Sequence, residues 1–103
     1  MEALDTLTDT LRRAMLGYAG KGLNAYSYLT SSDDQRVFAV VTIARVRDQR
    51  IVDAGLIARI VGEKIVVECD NNNKPLVDAL VQAGVPREHI VLAYAGEPVA
   101  DAA

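Results

Sequence analysis

The chain has 103 residues, half of them hydrophobic, and a formal net charge of −3 at pH 7. This length predicts one domain over residues 1–103 with a modest core, and the acidic balance excludes a global positive field that would draw the whole molecule to nucleic acid. The single cysteine, Cys69, excludes an internal disulfide within this sequence and fits the reducing cytoplasm, and the acidic N-terminal segment lacks the apolar core of a signal peptide. The high apolar fraction predicts that some apolar surface is buried between chains.

The first predicted element is an amphipathic helix over residues 2–19. Its apolar side chains recur at spacings of three and four residues, and they are Leu4, Leu7, Leu11, Ala14, Met15 and Tyr18. Gly17, Gly20 and Gly22 follow, and glycine weakens the continuation of a helix. The helix is therefore expected to end near Ala19.

Four strands are predicted next. They cover Ala25 to Thr30, Arg36 to Arg47, Arg50 to Val61 and Lys64 to Cys69. The turn between the two long strands is placed at Asp48 and Gln49, and Gly55 is expected to mark a bulge or kink. Because the connections are short, these strands should pair antiparallel.

A second helix is predicted between Pro75 and Gly84. Proline suits the first helical turn, where its missing N–H costs nothing, and Gly84 occupies the place of a left-handed C-terminal cap. A buried strand is then predicted from Ile90 to Tyr94, and it should run parallel to the strand before the helix. The segment 95–103 is expected to be loosely ordered.

These elements predict an α+β fold with two layers. A mostly antiparallel sheet of about five strands would be covered by two helices, in the order α-β-β-β-β-α-β.

The stretch from Ile60 to Tyr94 resembles the XisI family, the small excision-controlling factors associated with the fdxN element of cyanobacteria. It aligns with the family without a gap, and the matching positions are Ile60, Lys64, Ile65, Val67, Asp70, Leu80, Val81, Gly84, Val85, Pro86, Arg87, Glu88, Ile90, Val91, Leu92 and Tyr94. The first helix and hairpin agree with the family in order and length. The chain departs from it at Glu63, where the family usually has a turn glycine, and at Asn71-Asn72-Asn73, which replaces a Gly-Thr-Glu-like loop.

The resemblance implies a non-catalytic accessory role in bacterial DNA-element excision. It also implies a partner, because XisI proteins are commonly encoded beside XisH, which resembles nuclease-fold proteins. The family offers no catalytic, cofactor-binding or metal-binding residue that could be carried over to this chain. The expectation is therefore a regulatory protein and not an enzyme.

The residue pattern itself contains no convincing catalytic group. Cys69 ends one strand and His89 precedes the next, so a parallel pairing would separate them by roughly 15–20 Å at ~3.3 Å per residue and exclude a dyad within one chain. Cys69 alternates with Ile65 and Val67, which predicts a buried, inert thiol. The glycines around Lys21 follow a helix and not a strand, so the context of a phosphate-binding loop is missing.

Four arginines are predicted to gather at or near the tip of the long hairpin, namely Arg45, Arg47, Arg50 and Arg59. A basic β-ribbon can lie in a DNA groove, which makes a DNA-binding module the alternative function. Arginines on a hairpin also prevent edge-to-edge aggregation. The acidic net charge and the absence of interleaved aromatic residues in this segment favour the second interpretation.

The long hairpin carries apolar residues on both faces, although an antiparallel sheet with one solvated face normally alternates apolar and polar residues. Two helices can cover only one face of such a sheet. We therefore expect a homo-oligomer, most simply a two-fold dimer, with the uncovered face buried by another copy, by a XisH-like partner or by both. The residues proposed for this interface are Val41, Ile43, Leu56 and Ile57.

Overall fold

The computed structural model describes residues 3–100, and the side chains of residues 6–100. Two helices, α1 (Ala3–Leu16) and α2 (Leu76–Gln82), lie on one face of a six-stranded sheet. The strands are β1 (Gly20–Lys21), β2 (Ala25–Ser31), β3 (Val37–Val46), β4 (Gln49–Val61), β5 (Lys64–Asp70) and β6 (Ile90–Leu92). Short 3₁₀ turns flank the last strand, at Arg87–His89 and Ala93–Ala95.

The strands follow one another across the sheet in chain order, and every neighbouring pair is antiparallel except β5 and β6. This confirms the predicted α+β class, the two layers and the parallel return of the last strand. The two-residue strand β1 is an addition to the predicted set, since so short a segment has no periodicity to read. Residues 1–2, the side chain of Leu4 and residues 101–103, which entered the sequence predictions, lie outside the described residues.

The long hairpin turns at Arg47 and Asp48, one residue earlier than predicted. Both residues have positive φ values, 51° and 67°, as a two-residue turn matching the twist of an antiparallel hairpin requires. Further along, Val40 pairs with Leu56 while Val41 pairs with Ala54. Gly55 is therefore the additional residue of a bulge, as predicted.

The hydrophobic core lies between the two helices and the sheet. Its fully buried side chains include Leu11 and Met15 of α1 and Leu76 and Leu80 of α2. The strands contribute Phe38, Val40, Leu56, Ala58, Ile60, Ile65, Val67 and Ile90. We call the surface of the sheet that faces the helices the inner face, and the opposite surface the outer face.

The second helix ends as its glycine predicts. Gly84 has φ +100°, and the N–H of Val85 donates to the carbonyl of Leu80 at 3.0 Å. Hydrogen bonds also attach the start of the C-terminal segment to the last strand and the turn before it. Glu97 accepts them from the backbone N–H of Leu92 and from the side chain of Arg87. The tail predicted to be loose from residue 95 is thus anchored as far as Glu97. None of the described helices combines the length and apolar character needed to span a membrane.

Candidate interaction surface

The described residues do not assemble a catalytic group around His89 or Cys69. Because Ile90 pairs with Ile65, His89 lies level with the start of β5 while Cys69 lies near its end, roughly 16 Å away at about 3.3 Å per residue. Among the described residues, no three side chains of His, Cys, Asp or Glu lie close enough to hold a metal ion.

The resolved pKa shifts do not mark a reactive site either. Burial raises the pKa values of Tyr18 and Tyr94, and hydrogen bonds lower those of Asp34 and Glu97. Asp34 accepts from Ser32 in a surface turn, and Glu97 is bound to Leu92 and Arg87. These hydrogen bonds order a turn and the C-terminal segment, and they do not pair a nucleophile with a base.

Cys69 lies on the outer face and not beside Ile65 and Val67, so the predicted burial of its thiol is wrong. The strand β5 contains its own irregularity, in which Ala58 pairs with Val67 but Ile57 pairs with Cys69. One additional residue therefore lies between Val67 and Cys69 on β5, and it shifts Cys69 to the face of Ile57. There Cys69 is partly exposed, and its Sγ lies 3.8 Å from the carbonyl oxygen of Ala54. Strict alternation could not reveal the shift.

The outer face carries a continuous apolar surface over β3 and β4. Cross-strand partners share a face, so the pairs Ala39–Ile57, Val41–Ala54 and Ile43–Val52 all lie on it. We call the following residues the apolar patch: Val37, Ala39, Val41, Ile43, Val52, Ala54 and Ile57. All seven retain solvent exposure, up to 61% at Val52, because both helices lie on the inner face.

Three of the four residues predicted at an oligomer interface belong to this patch. Val41, Ile43 and Ile57 are partly exposed on the outer face. Leu56 is a correction: it is 1% exposed and lies in the core between sheet and helices. The bulge at Gly55 decides this, because the face of each β4 residue depends on which side of the bulge it lies.

The predicted arginine cluster divides into two groups. Arg45 and Arg50 are cross-strand partners beside the turn and share the outer face, and Arg47 occupies the turn itself. Arg59 is a correction, since it lies nine residues from Arg50 along β4, roughly 30 Å at about 3.3 Å per residue. Its Nε donates to Oε2 of Glu68 at 2.6 Å, which places it in an ion pair near the other end of the hairpin.

Two tyrosines that the sequence analysis did not join to this surface lie next to the arginines. Tyr26 and Tyr28 of β2 pair with Ile43 and Val41, so both rings stand on the outer face. Their ring centroids are 6.2 Å apart with an angle of 12° between the planes, and the two side chains are 48% and 50% exposed. The alternation of tyrosines in β2 was visible in the sequence, but their position beside Arg45 required the β2–β3 register.

The comparison with protein families agrees with this architecture. A family model described as XisI protein matches residues 1–101. The chain belongs to the XisI family. The match extends the resemblance seen from Ile60 to Tyr94 over the first helix and the long hairpin, which the sequence had related to XisI proteins by order and length alone.

Solved structures of XisI proteins have the same fold. A XisI-like protein from Anabaena variabilis ATCC 29413 is 17% identical, with a TM-score of 0.68 over 88% of this chain and 85% of that one. The fdxN element excision controlling factor XisI from the same organism is 19% identical, with a TM-score of 0.66 over 90% of this chain and 93% of that one. No curated protein matches the chain.

Proposed function

We propose that this protein is a non-catalytic accessory factor in DNA-element excision that works with a XisH-like nuclease-fold protein. Membership of the XisI family supports the role, as does the shared fold with a protein described as an fdxN element excision controlling factor. A protein in this role regulates by binding, so its functional surface is a surface for assembly.

The apolar patch carries this proposal. Its centre, at Val41, Ile43 and Ile57, consists of aliphatic side chains on a sheet face that neither helix covers. Contiguous apolar surface of this kind is typical of protein–protein interfaces. Among the described residues, no three metal-ligating side chains converge to form a competing site.

We assign the patch to a second copy of the chain, with the XisH-like protein binding the resulting dimer. Transient interfaces are about as polar as the rest of a protein surface, whereas homodimer interfaces are richer in apolar area. The patch residues carry no charge, and the nearest ion pair, Arg59 with Glu68, neutralises itself. Both features favour a permanent, self-complementary contact around a two-fold axis.

Sedimentation equilibrium of charge variants tests the dimer. Ile57→Glu and, independently, Val41→Glu should convert a dimer into a monomer of 11.1 kDa, because each buries a charge in the interface. Ile51→Glu is the matched control, since Ile51 is 44% exposed on the inner face of the same hairpin. A wild-type monomer at micromolar concentration would reject self-association.

Co-expression with a XisH-like protein tests the partner. The two proteins should co-purify, and the complex should contain two copies of this chain. Recovery of a one-to-one complex whose formation is abolished by Ile57→Glu would overturn the dimer and assign the apolar patch to the partner. Recovery of this chain alone would overturn the proposed partnership.

The alternative function, a DNA-binding module that inserts an arginine-bearing hairpin into a groove, has lost part of its basis. Arg59 is paired and distant from the turn, which leaves Arg45, Arg47 and Arg50. Affinity for duplex DNA needs several phosphate contacts, and three cations supply few. Groove binding by this hairpin is thus the weaker candidate.

A further inference from the structure

The turn-proximal end of the outer face combines stacked aromatic rings with cations. Tyr26 and Tyr28 stand in nearly parallel planes and are half exposed. The Nζ of Lys21, on the adjacent strand β1, lies 5.7 Å from the centroid of the Tyr26 ring. Arg45 lies two residues beyond Ile43, the partner of Tyr26, and therefore emerges on the same face.

A surface groove joins Lys21, Tyr26 and Arg45, and Tyr28 stacks on Tyr26 beside it. Its volume is about 330 Å³, and its lining includes Lys21, Tyr26, Ile43, Arg45 and Arg50. It lies towards the hairpin turn and meets the apolar patch at Ile43, the cross-strand partner of Tyr26, while Tyr28 adjoins the patch at its own partner Val41. We call Lys21, Tyr26, Tyr28, Arg45 and Arg50 the basic–aromatic site.

The cations of this site have no carboxylate partner among the described residues. Three arginines elsewhere have one: Arg13 pairs with Asp9, Arg59 with Glu68 and Arg87 with Glu97. The nearby acids are placed differently, since Asp48 lies in the turn and Asp53 pairs across the strands with Thr42, on the inner face.

Arg45 and Arg50 are moreover directly opposite each other on neighbouring strands. Like charges in that position repel each other and weaken the pairing of the strands. An anion bound between the two guanidinium groups would relieve this repulsion. The arrangement therefore favours a negatively charged ligand.

We propose that the basic–aromatic site binds single-stranded nucleic acid. Unpaired bases have exposed faces that stack on tyrosine rings, while Lys21, Arg45 and Arg50 contact the phosphates. A duplex keeps its bases stacked on each other and leaves the tyrosines unused, and an acidic peptide would engage the cations alone. The inference goes beyond the proposed assembly role, because every residue of the site belongs to one protomer.

Fluorescence anisotropy with labelled oligonucleotides of about 12 nucleotides tests this site. Oligo-dT and oligo-U serve as separate arms, and the tighter arm identifies DNA or RNA as the ligand. Binding should weaken as salt is raised, and a duplex of the same length should bind more weakly. No binding at low salt, or binding of the duplex at least as tight as that of the single strand, would overturn the proposal.

Variants separate stacking from charge. The double variant Tyr26→Ala/Tyr28→Ala should lower affinity about thirtyfold or more with the salt dependence unchanged, whereas Tyr26→Phe/Tyr28→Phe should retain it. Arg45→Gln/Arg50→Gln should reduce the slope of log K against log salt by about 1.4, because two phosphate contacts to a single strand are lost. Equal affinity of the wild type and the alanine double variant, or equal competition by polyglutamate, would reduce the site to a general polyanion surface and reject the assignment.

Matched controls lie elsewhere on the protein. Tyr94→Ala removes another exposed tyrosine, and Arg36→Gln removes an exposed arginine from the turn before β3. Both should leave affinity unchanged, and thermal unfolding of each variant checks that the fold is intact. Anisotropy and sedimentation are independent readouts, so a failure of this site is distinguishable from a failure of the proposed dimer.

Discussion

The carboxylate of Asp70 ties the end of β5 to the start of α2. Its Oδ2 accepts a hydrogen bond from the backbone N–H of Leu76 at 2.7 Å, across the loop of residues 71–75. Its Oδ1 accepts from the backbone N–H of Asn72 at 3.0 Å. A negative charge here meets the free N–H groups and the positive end of the dipole of α2, so Asp70 both caps the helix and orders the asparagine loop.

Replacement of Asp70 should therefore destabilise the protein. Asp70→Ala leaves the N–H of the buried Leu76 without its partner, and we expect a loss of about 1–2 kcal/mol in the free energy of unfolding. Asp70→Asn keeps an acceptor and should lose less. Urea unfolding monitored by circular dichroism measures both, with Asp33→Ala in an exposed turn as the control. Equal stability of Asp70→Ala and the wild type would show that the cap is dispensable.

Gly84 provides a test of backbone conformation alone. An added Cβ would meet no atom within 4 Å, yet the φ of +100° is one that L side chains rarely adopt. Gly84→Ala should cost ~1 kcal/mol or more through conformational strain. Gly17→Ala is the control at a glycine that lacks a positive φ. If both variants unfolded at the same urea concentration, strain at Gly84 would not contribute.

Leu80 tests the packing of helix α2 on the sheet. Its side chain is fully buried among core residues, whereas the adjacent Val81 is 45% exposed. Leu80→Ala should lower the free energy of unfolding by about 2–5 kcal/mol, because it removes buried methyl groups and leaves a cavity. Val81→Ala should cost well under about 1 kcal/mol. A neutral Leu80→Ala in urea melts would contradict the core position.

Glu97 should contribute stability that is present near neutral pH and lost in acid. Its hydrogen bond from the N–H of Leu92, followed by the one from Arg87, lowers its pKa below the ordinary value of 4.5. A carboxyl group whose pKa is lower in the folded than in the unfolded state stabilises the fold at pH values above its unfolded-state pKa. This contribution is lost as the pH falls through the folded-state pKa. Thermal unfolding should show the difference between the wild type and Glu97→Gln shrinking below about pH 4.5. A constant difference down to about pH 3 would exclude the linkage.

The purified protein should not cleave DNA. The described residues bring no nucleophile, base and orienting group together, and no three metal-ligating side chains converge among them. Incubation with supercoiled plasmid and Mg²⁺ or Mn²⁺ should leave the plasmid intact. Cleavage that disappeared in a single aspartate or His89 variant, purified in parallel, would establish an activity that the proposed accessory role does not include.

Local chemistry accounts for the parts of the fold that the sequence predicted. The periodic apolar residues of α1, the Pro75 and Gly84 limits of α2 and the glycine bulge at Gly55 each depend on a few consecutive residues. The apolar character of both faces of the long hairpin was equally visible, and it led directly to the apolar patch. These features survive in the structure because they need no knowledge of distant neighbours.

Tertiary structure alone decided which functional side chains meet. The bulge in β5 carried Cys69 to the outer face, and the bulge in β4 placed Leu56 in the core and the partly exposed Ile57 on the outer face. Register is set by hydrogen bonds between strands, and a slip of one residue reverses every face beyond it. The same non-local pairing brought Tyr26 beside Arg45 and removed Arg59 to its own ion pair, so the basic–aromatic site exists only in the folded sheet.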